Sequence, residues 1–170
     1  MGIREFYERA DRRITDWMAK FGVLLLRMSL GVVFFWFGSL KFFPGLSPAQ
    51  GLATRTIEVI TFGALTPDVS IYVLAAWESI IGLGLILGVF MRAVLLLLFI
   101  QMVGTFMPVF IFPGEIFISF PYALTLEGQY IIKNLVLMSA AIVIGATVRG
   151  GAVVAEPEIA ELEKSRRERD

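Results

Sequence analysis

Four apolar runs, each about as long as a lipid bilayer is thick, constrain this chain more than any other feature. They are Phe21–Phe43, Ser70–Met91, Ala93–Phe112 and roughly Gly128–Val148. Arg27 and Lys41 interrupt the first, Glu78 the second and Lys133 the fourth, while the third carries no charge. At 1.5 Å per residue, about 20 residues cross a hydrocarbon core roughly 30 Å thick. Within that core only a helix, or a closed barrel, satisfies its own backbone. Burying four such helices inside a soluble domain is not a workable alternative. The chain has 170 residues, 57% hydrophobic and 18% charged, against about half apolar and a quarter charged in soluble domains. The expected fold class is an all-α membrane protein, a four-transmembrane-helix bundle.

Basic residues suggest how the spans are oriented. Arg4, Arg9, Arg12, Arg13 and Lys20 precede the first span, Arg92 lies between the second and third, and Arg149, Lys164, Arg166, Arg167 and Arg169 follow the fourth. The two remaining connections hold only Arg55. Lys and Arg collect on the cytoplasmic side, so both termini are expected there.

Shorter patterns fill in the rest of the plan. Ile3, Phe6, Tyr7, Ala10, Ile14, Trp17 and Met18 recur at helical spacing with charges between them. Residues 1–20 are therefore expected to form an amphipathic helix lying in the inner interface. Packing against a soluble partner is the alternative, and a cleaved signal peptide fits poorly with so long a run containing Arg27. Ser47-Pro48-Ala49-Gln50 has the form of a capping box. It predicts a short extracytoplasmic loop helix over about residues 48–62, stopped by Gly63, with Thr66-Pro67 opening the second span. The aromatic, Pro- and Gly-containing loop from Phe112 to Tyr122 is expected to dip against the membrane. Residues 149–170 form a charged cytoplasmic tail, with Glu163 and Arg167 spaced for an i,i+4 pair.

The chain contains neither histidine nor cysteine. Disulfide exchange, iron–sulfur ligation and the common zinc, copper and haem ligands are thereby excluded as its own chemistry. A redox role would need a bound organic molecule, such as a quinone or flavin, or a partner protein. Fifteen basic and fifteen acidic residues cancel, leaving no global field for nucleic acid. No metal site is expected.

Ionisable residues within spans are costly and usually face the bundle interior or water. Glu78, Lys41, Lys133 and Gln101, with Asn134 at the mouth of the fourth span, all fall in the outer half. Two readings follow. One is an outward-facing polar pocket around Glu78, with Lys41 and Lys133 as counter-charges and Trp36, Phe37, Trp77 and Phe106 as apolar walls. The other is an interhelical ion pair that fixes register. Arg27, in the inner half, is read as snorkelling or bonded to a carbonyl. Gly84 and Gly88, Ala141 and Gly145, and Gly31 and Gly38 mark expected helix contacts within the chain.

The run from Leu26 to Pro44, of the form R-x-S followed by F-x-W-x-G-x-x-K-F-x-P, resembles the first helix of the DoxX-like membrane proteins, closest to the RclC/YkgB-like branch. Trp77-Glu78-x3-Gly82, Gly104-Thr105 and Lys133-Asn134 resemble that group's second, third and fourth helices, so the likeness covers about residues 22–150. It implies a four-helix protein of the bacterial inner membrane. It also implies a link to oxidative or reactive-chlorine stress, or a small-subunit role in a quinone-linked oxidoreductase. It carries over Arg27, Lys41, Glu78 and Lys133.

Three functions compete. The first is an accessory subunit or resistance factor, with a membrane oxidoreductase partner or a homo-oligomer and a quinone as possible ligand. The second is a small transporter or proton relay using Glu78. The third is a structural assembly module. An autonomous enzyme is least favoured, because no histidine, cysteine, nucleophile elbow or phosphate loop is present.

Overall fold

The computed structural model describes residues 3–43, 45–47, 50–151 and 153–154. Pro48 and Ala49 of the predicted capping box, and the predicted pair in the charged tail, lie outside them. The elements are α1 (Ile3–Leu40), α2 (Gln50–Ile60), α3 (Pro67–Leu87), α4 (Met91–Phe106), α5 (Pro108–Ile111), α6 (Pro113–Ile116), a two-stranded antiparallel hairpin of β1 (Phe117–Ser119) and β2 (Ala123–Leu124), and α7 (Leu126–Thr147). Four helical stretches are long and apolar enough to cross a membrane: most of α1, then α3, α4 with α5, and α7. The chain is an all-α membrane protein, and a lipid bilayer is its environment.

The spans form a ring. α1 and α4 each pack against both α3 and α7, so α7 lies diagonally across from α3. The dry centre is built from Leu30 and Phe34 of α1, Ile81 and Leu85 of α3, Val94, Leu95, Leu98 and Met102 of α4, and Ala140, Ala141 and Ile144 of α7. Leu96, Val103 and Val136 point outward and stay exposed, as lipid-facing side chains do. In lipid, burying such residues gains little, so tight packing and interhelical hydrogen bonds must hold the ring together.

The tightest packing is between α1 and α3. A Cβ added to Gly38 would stand 2.7 Å from the backbone nitrogen of Ser79, and one on Gly31 would stand 2.8 Å from Ile86 Cγ1. A Cβ on Gly82 would run into the backbone of Phe35. The sequence pattern marks Gly31 and Gly38 of this seam but not Gly82; Gly84 and Gly88, which it also marks, lie at other contacts within the chain. Gly84 makes room for Val94 of α4, and Gly88 for Arg27.

Local signals explain where most helices stop. Gly63 has φ +78° and donates its N–H to Glu58 O at 2.8 Å, just beyond α2. Gly88, with φ +70°, closes α3 by donating to Gly84 O at 2.9 Å; both use a left-handed conformation that glycine adopts without penalty. The third run is not one smooth helix to Phe112. Pro108 has no N–H to donate and crowds the preceding turn, so α4 ends at Phe106 and α5 continues after Met107.

Two further departures matter. α1 is unbroken from Ile3, whereas the sequence suggests a separate interfacial helix ending near residue 20. Gly22 is the only weak helix former at the junction, and one interior glycine costs only about 1 kcal/mol relative to alanine. In addition, α1 ends well short of the N-terminus of α3. α2 fills the space above it, packing on α3, and its Leu52 joins Ile116 and Ile131 in a second apolar cluster. Arg55 of α2 pairs with Glu115 and lies 5.3 Å from the Phe112 ring centroid. Thr125 caps α7 by accepting from Gly128 N at 3.1 Å and donating to Glu115 O at 2.7 Å.

Because Gly82 faces backbone that cannot move aside, Gly82→Val should destabilise the fold by at least about 2–3 kcal/mol. Gly104→Ala, which meets nothing within 4 Å, should be neutral or stabilising by up to about 1 kcal/mol. Thermal melting of both variants in detergent would check this; equal melting temperatures would remove the seam from its central place.

Candidate functional site

The α1–α3 seam also sets the position of charge. Gly38 is so close to α3 that its Cβ would lie 2.8 Å from the Cβ of Glu78. The helices are antiparallel, so Lys41, three residues past Gly38, lies roughly 5 Å further toward the α2 end. A lysine side chain covers that distance easily. Lys41 Nζ donates to Glu78 Oε2 at 2.6 Å and to Phe37 O, one turn back on α1, at 3.3 Å.

The other carboxylate oxygen is taken by a third helix. Gln101 Nε2 of α4 donates to Glu78 Oε1 at 2.8 Å. Beside this contact, Trp77 Nε1 of α3 donates to Leu97 O of α4 at 3.2 Å. Glu78 is 9% exposed, and the side chains of Lys41 and Glu78 are each 12% exposed. A lone carboxylate at this depth would cost several kcal/mol. The arrangement answers that cost with an opposite charge and a donor on each oxygen.

The triad retains hydrogen-bonding capacity. Among the described residues, Lys41 uses two of its three N–H groups, and Gln101 keeps one side-chain N–H and its side-chain carbonyl oxygen. Ser79, next to Glu78, has a buried hydroxyl with no partner among the described residues. This is an unusual condition for a buried polar atom. Nothing in the sequence singles out Ser79, because its significance comes from the Gly38 contact on its own backbone nitrogen.

Of the residues expected at a site, Lys41, Glu78 and Gln101 come together and Trp77 packs beside them. Lys133 does not join them. It is exposed on α7, with Nζ 5.8 Å from the Tyr130 ring centroid, because α7 is diagonal to α3 in the ring. Asn134, half-buried on the same helix, is excluded for the same reason. Trp36 is 63% exposed and Phe37 52%, so they face outward and do not wall a pocket. Phe106 packs against the second apolar cluster, with Leu52, Ile116 and Ile131. Arg27 is at the opposite end of the bundle, its guanidinium against Gly88. There it meets the carbonyl end of α3, where the helix dipole favours a cation.

The DoxX family model matches residues 22–112, a stretch that contains Arg27 and the whole triad. No curated protein and no solved structure matches the chain.

Removing one charge from a buried pair leaves the other uncompensated. Lys41→Met should therefore cost about 3–5 kcal/mol. The double variant Lys41→Met with Glu78→Met should recover most of that loss. Gln101→Leu removes one interhelical hydrogen bond, worth about 0.6–2 kcal/mol in a membrane. Lys133→Ala should leave stability unchanged. A double-mutant cycle by thermal melting in detergent reads all four, and additive losses at Lys41 and Glu78 would contradict their pairing.

Proposed function

This chain belongs to the DoxX family of membrane proteins, and from that membership we propose that it is an accessory membrane subunit that holds, and does not transform, a quinone or similar lipid-soluble head group for a partner oxidoreductase. Its setting on this reading is oxidative or reactive-chlorine stress in the bacterial inner membrane, nearest the RclC-like branch by its first-helix motif. Arg55 is the single basic residue of the connections on the α2 side, which, against the basic residues near the termini, supports an outward-facing triad and cytoplasmic termini.

The observation that carries this reading is the buried Lys41–Glu78–Gln101 triad beside the Ser79 hydroxyl, which has no partner among the described residues. A quinone head group presents two carbonyl acceptors. The unused N–H groups of Lys41 and Gln101 and the Ser79 hydroxyl are donors suited to them. The same groups give the site no means of carrying electrons, and the chain has no histidine or cysteine. Oxidation and reduction therefore fall to the ligand and to the partner.

A second reading has its own support. Both carboxylate oxygens of Glu78 are already satisfied within the chain, as expected of a clamp that fixes three helices in register. A proton relay through Glu78 has less in its favour, since its oxygens are engaged by Lys41 and Gln101.

Solvent extraction of the purified protein, followed by chromatography and a borohydride difference spectrum, separates ligand holder from clamp. Wild type should carry a quinone at near-stoichiometric level. Glu78→Gln and Gln101→Leu should lose it while remaining monodisperse in detergent. A wild-type protein free of quinone, with a melting temperature unmoved by a short-chain quinone analogue, would leave only the clamp.

A further inference from the structure

The bundle has a second polar feature, at the end away from the triad. α3 is 21 residues long, roughly 32 Å at the helical rise and close to the thickness of a hydrocarbon core. With Pro67 at one edge of that core, the turn from Gly88 to Phe90 stands at the other, where lipid phosphates begin. Arg27 of α1 is level with this turn. A Cβ on Gly88 would lie 2.9 Å from Arg27 Cζ, so the guanidinium occupies the space that the glycine leaves.

Arg27 is half-buried there, yet its guanidinium has no hydrogen bond or ion pair among the described residues. Its N–H groups, set in a fixed fork, are left over. Arg92, four residues beyond Gly88 at the start of α4, is exposed and equally unpaired among the described residues. No acid of the four spans offsets the two. On α1 the nearest is Asp16, roughly 16 Å back along the helix. On α3 it is Glu78, roughly 15 Å from Gly88 and held by Lys41. α4 has none, and α7 has only Glu127, at its opposite end. Apolar side chains frame the same turn. Leu87 is 67% exposed and Phe90 85%, and Phe90 holds φ +50°, a left-handed conformation unfavourable for a bulky residue.

We propose that this turn binds the phosphodiester of an anionic phospholipid, with Arg27 as its principal ligand and Arg92 as a second charge, while Leu87 and Phe90 meet the acyl chains. A guanidinium matches two phosphate oxygens at once, and basic pockets at the ends of spans hold anionic head groups. The dipole of α3 steadies Arg27 in place without using its N–H groups, which remain for the ligand. Free phosphate would satisfy the arginines and leave the apolar pair unused. A zwitterionic lipid offers the same phosphate, but its own ammonium cancels the charge that two arginines without an acid call for. The site lies at the opposite end of the bundle from the triad and does not depend on what the triad holds.

Full-length protein, stripped of lipid in a neutral detergent, is titrated with phosphatidylglycerol, with phosphatidylcholine of the same chains and with inorganic phosphate. Melting temperature and native mass spectrometry read the binding. Phosphatidylglycerol should raise the melting temperature more than phosphatidylcholine does and persist as a discrete adduct, and inorganic phosphate should do neither. Arg27→Gln should weaken the adduct about tenfold, the scale of one lost hydrogen bond to a charged group. Arg27→Lys should weaken it several-fold, because it keeps the charge and loses the fork. Arg92→Gln and Phe90→Gly change exposed positions, so they report in the same direction even if the Arg27 variants fail to fold. Arg12→Gln, roughly 22 Å from Arg27 along α1, should bind as wild type does. Equal losses at Arg12 and Arg27 would reduce the site to diffuse attraction and overturn it. So would a shift reproduced by inorganic phosphate, or equal binding of the two lipids. An Arg27→Gln protein that melts lower without lipid, yet binds phosphatidylglycerol as wild type does, would overturn it too.

Discussion

Contact between the backbones of α1 and α3, permitted by Gly31, Gly38 and Gly82, is the interaction on which the other features depend. Hydrocarbon already surrounds the spans, so apolar burial cannot select one arrangement of four greasy helices over another. Close approach can, because a single added Cβ at these positions meets backbone or side-chain atoms. Once the seam is closed, its register is fixed, and with it the height of Lys41 relative to Glu78. α4 then completes the arrangement from the other side of α3 through Gln101 and the Trp77–Leu97 bond.

The triad illustrates how stability and function can draw on the same groups. A buried ion pair is weak evidence for stability by itself, since apolar replacements often do as well. Its value lies in specificity: the wrong register would leave Glu78 without a counter-charge in a low-dielectric interior. The same satisfied network retains donors that a ligand can use. The two readings of the site therefore differ in whether those donors remain idle, and they share one set of residues.

Several parts of this arrangement were legible in the sequence. The spans followed from run length, and Glu78, Lys41 and Gln101 stood out as polar groups in apolar surroundings. Gly63 and Thr66-Pro67 marked helix limits through backbone chemistry alone. Lys133 was misassigned because its choice as counter-charge depends on ring order, which puts α7 diagonal to α3 and leaves no trace in a linear pattern. Trp36 was misassigned because its facing follows from the rotation of α1 about the glycine seam. Glycine spacing marks Gly31, Gly38, Gly84 and Gly88 as contacts but not Gly82, which meets the backbone of Phe35 on another helix. Run length carries no trace of Pro108, which ends α4 by removing a backbone donor.

The continuity of α1 has a mechanical consequence. Lys41 follows its last helical residue, and Ile3 is its first, about 57 Å away along a rod without a joint. The seam glycines act as the fulcrum of this rod, close to the end that bears Lys41. A tilt of one degree there displaces the far tip by somewhat under 1 Å, on the same helical rise. Any rearrangement that pulls Lys41 toward or away from Glu78 is thus enlarged at the opposite membrane face, and a force applied to the tip returns to the triad with the advantage of a long lever.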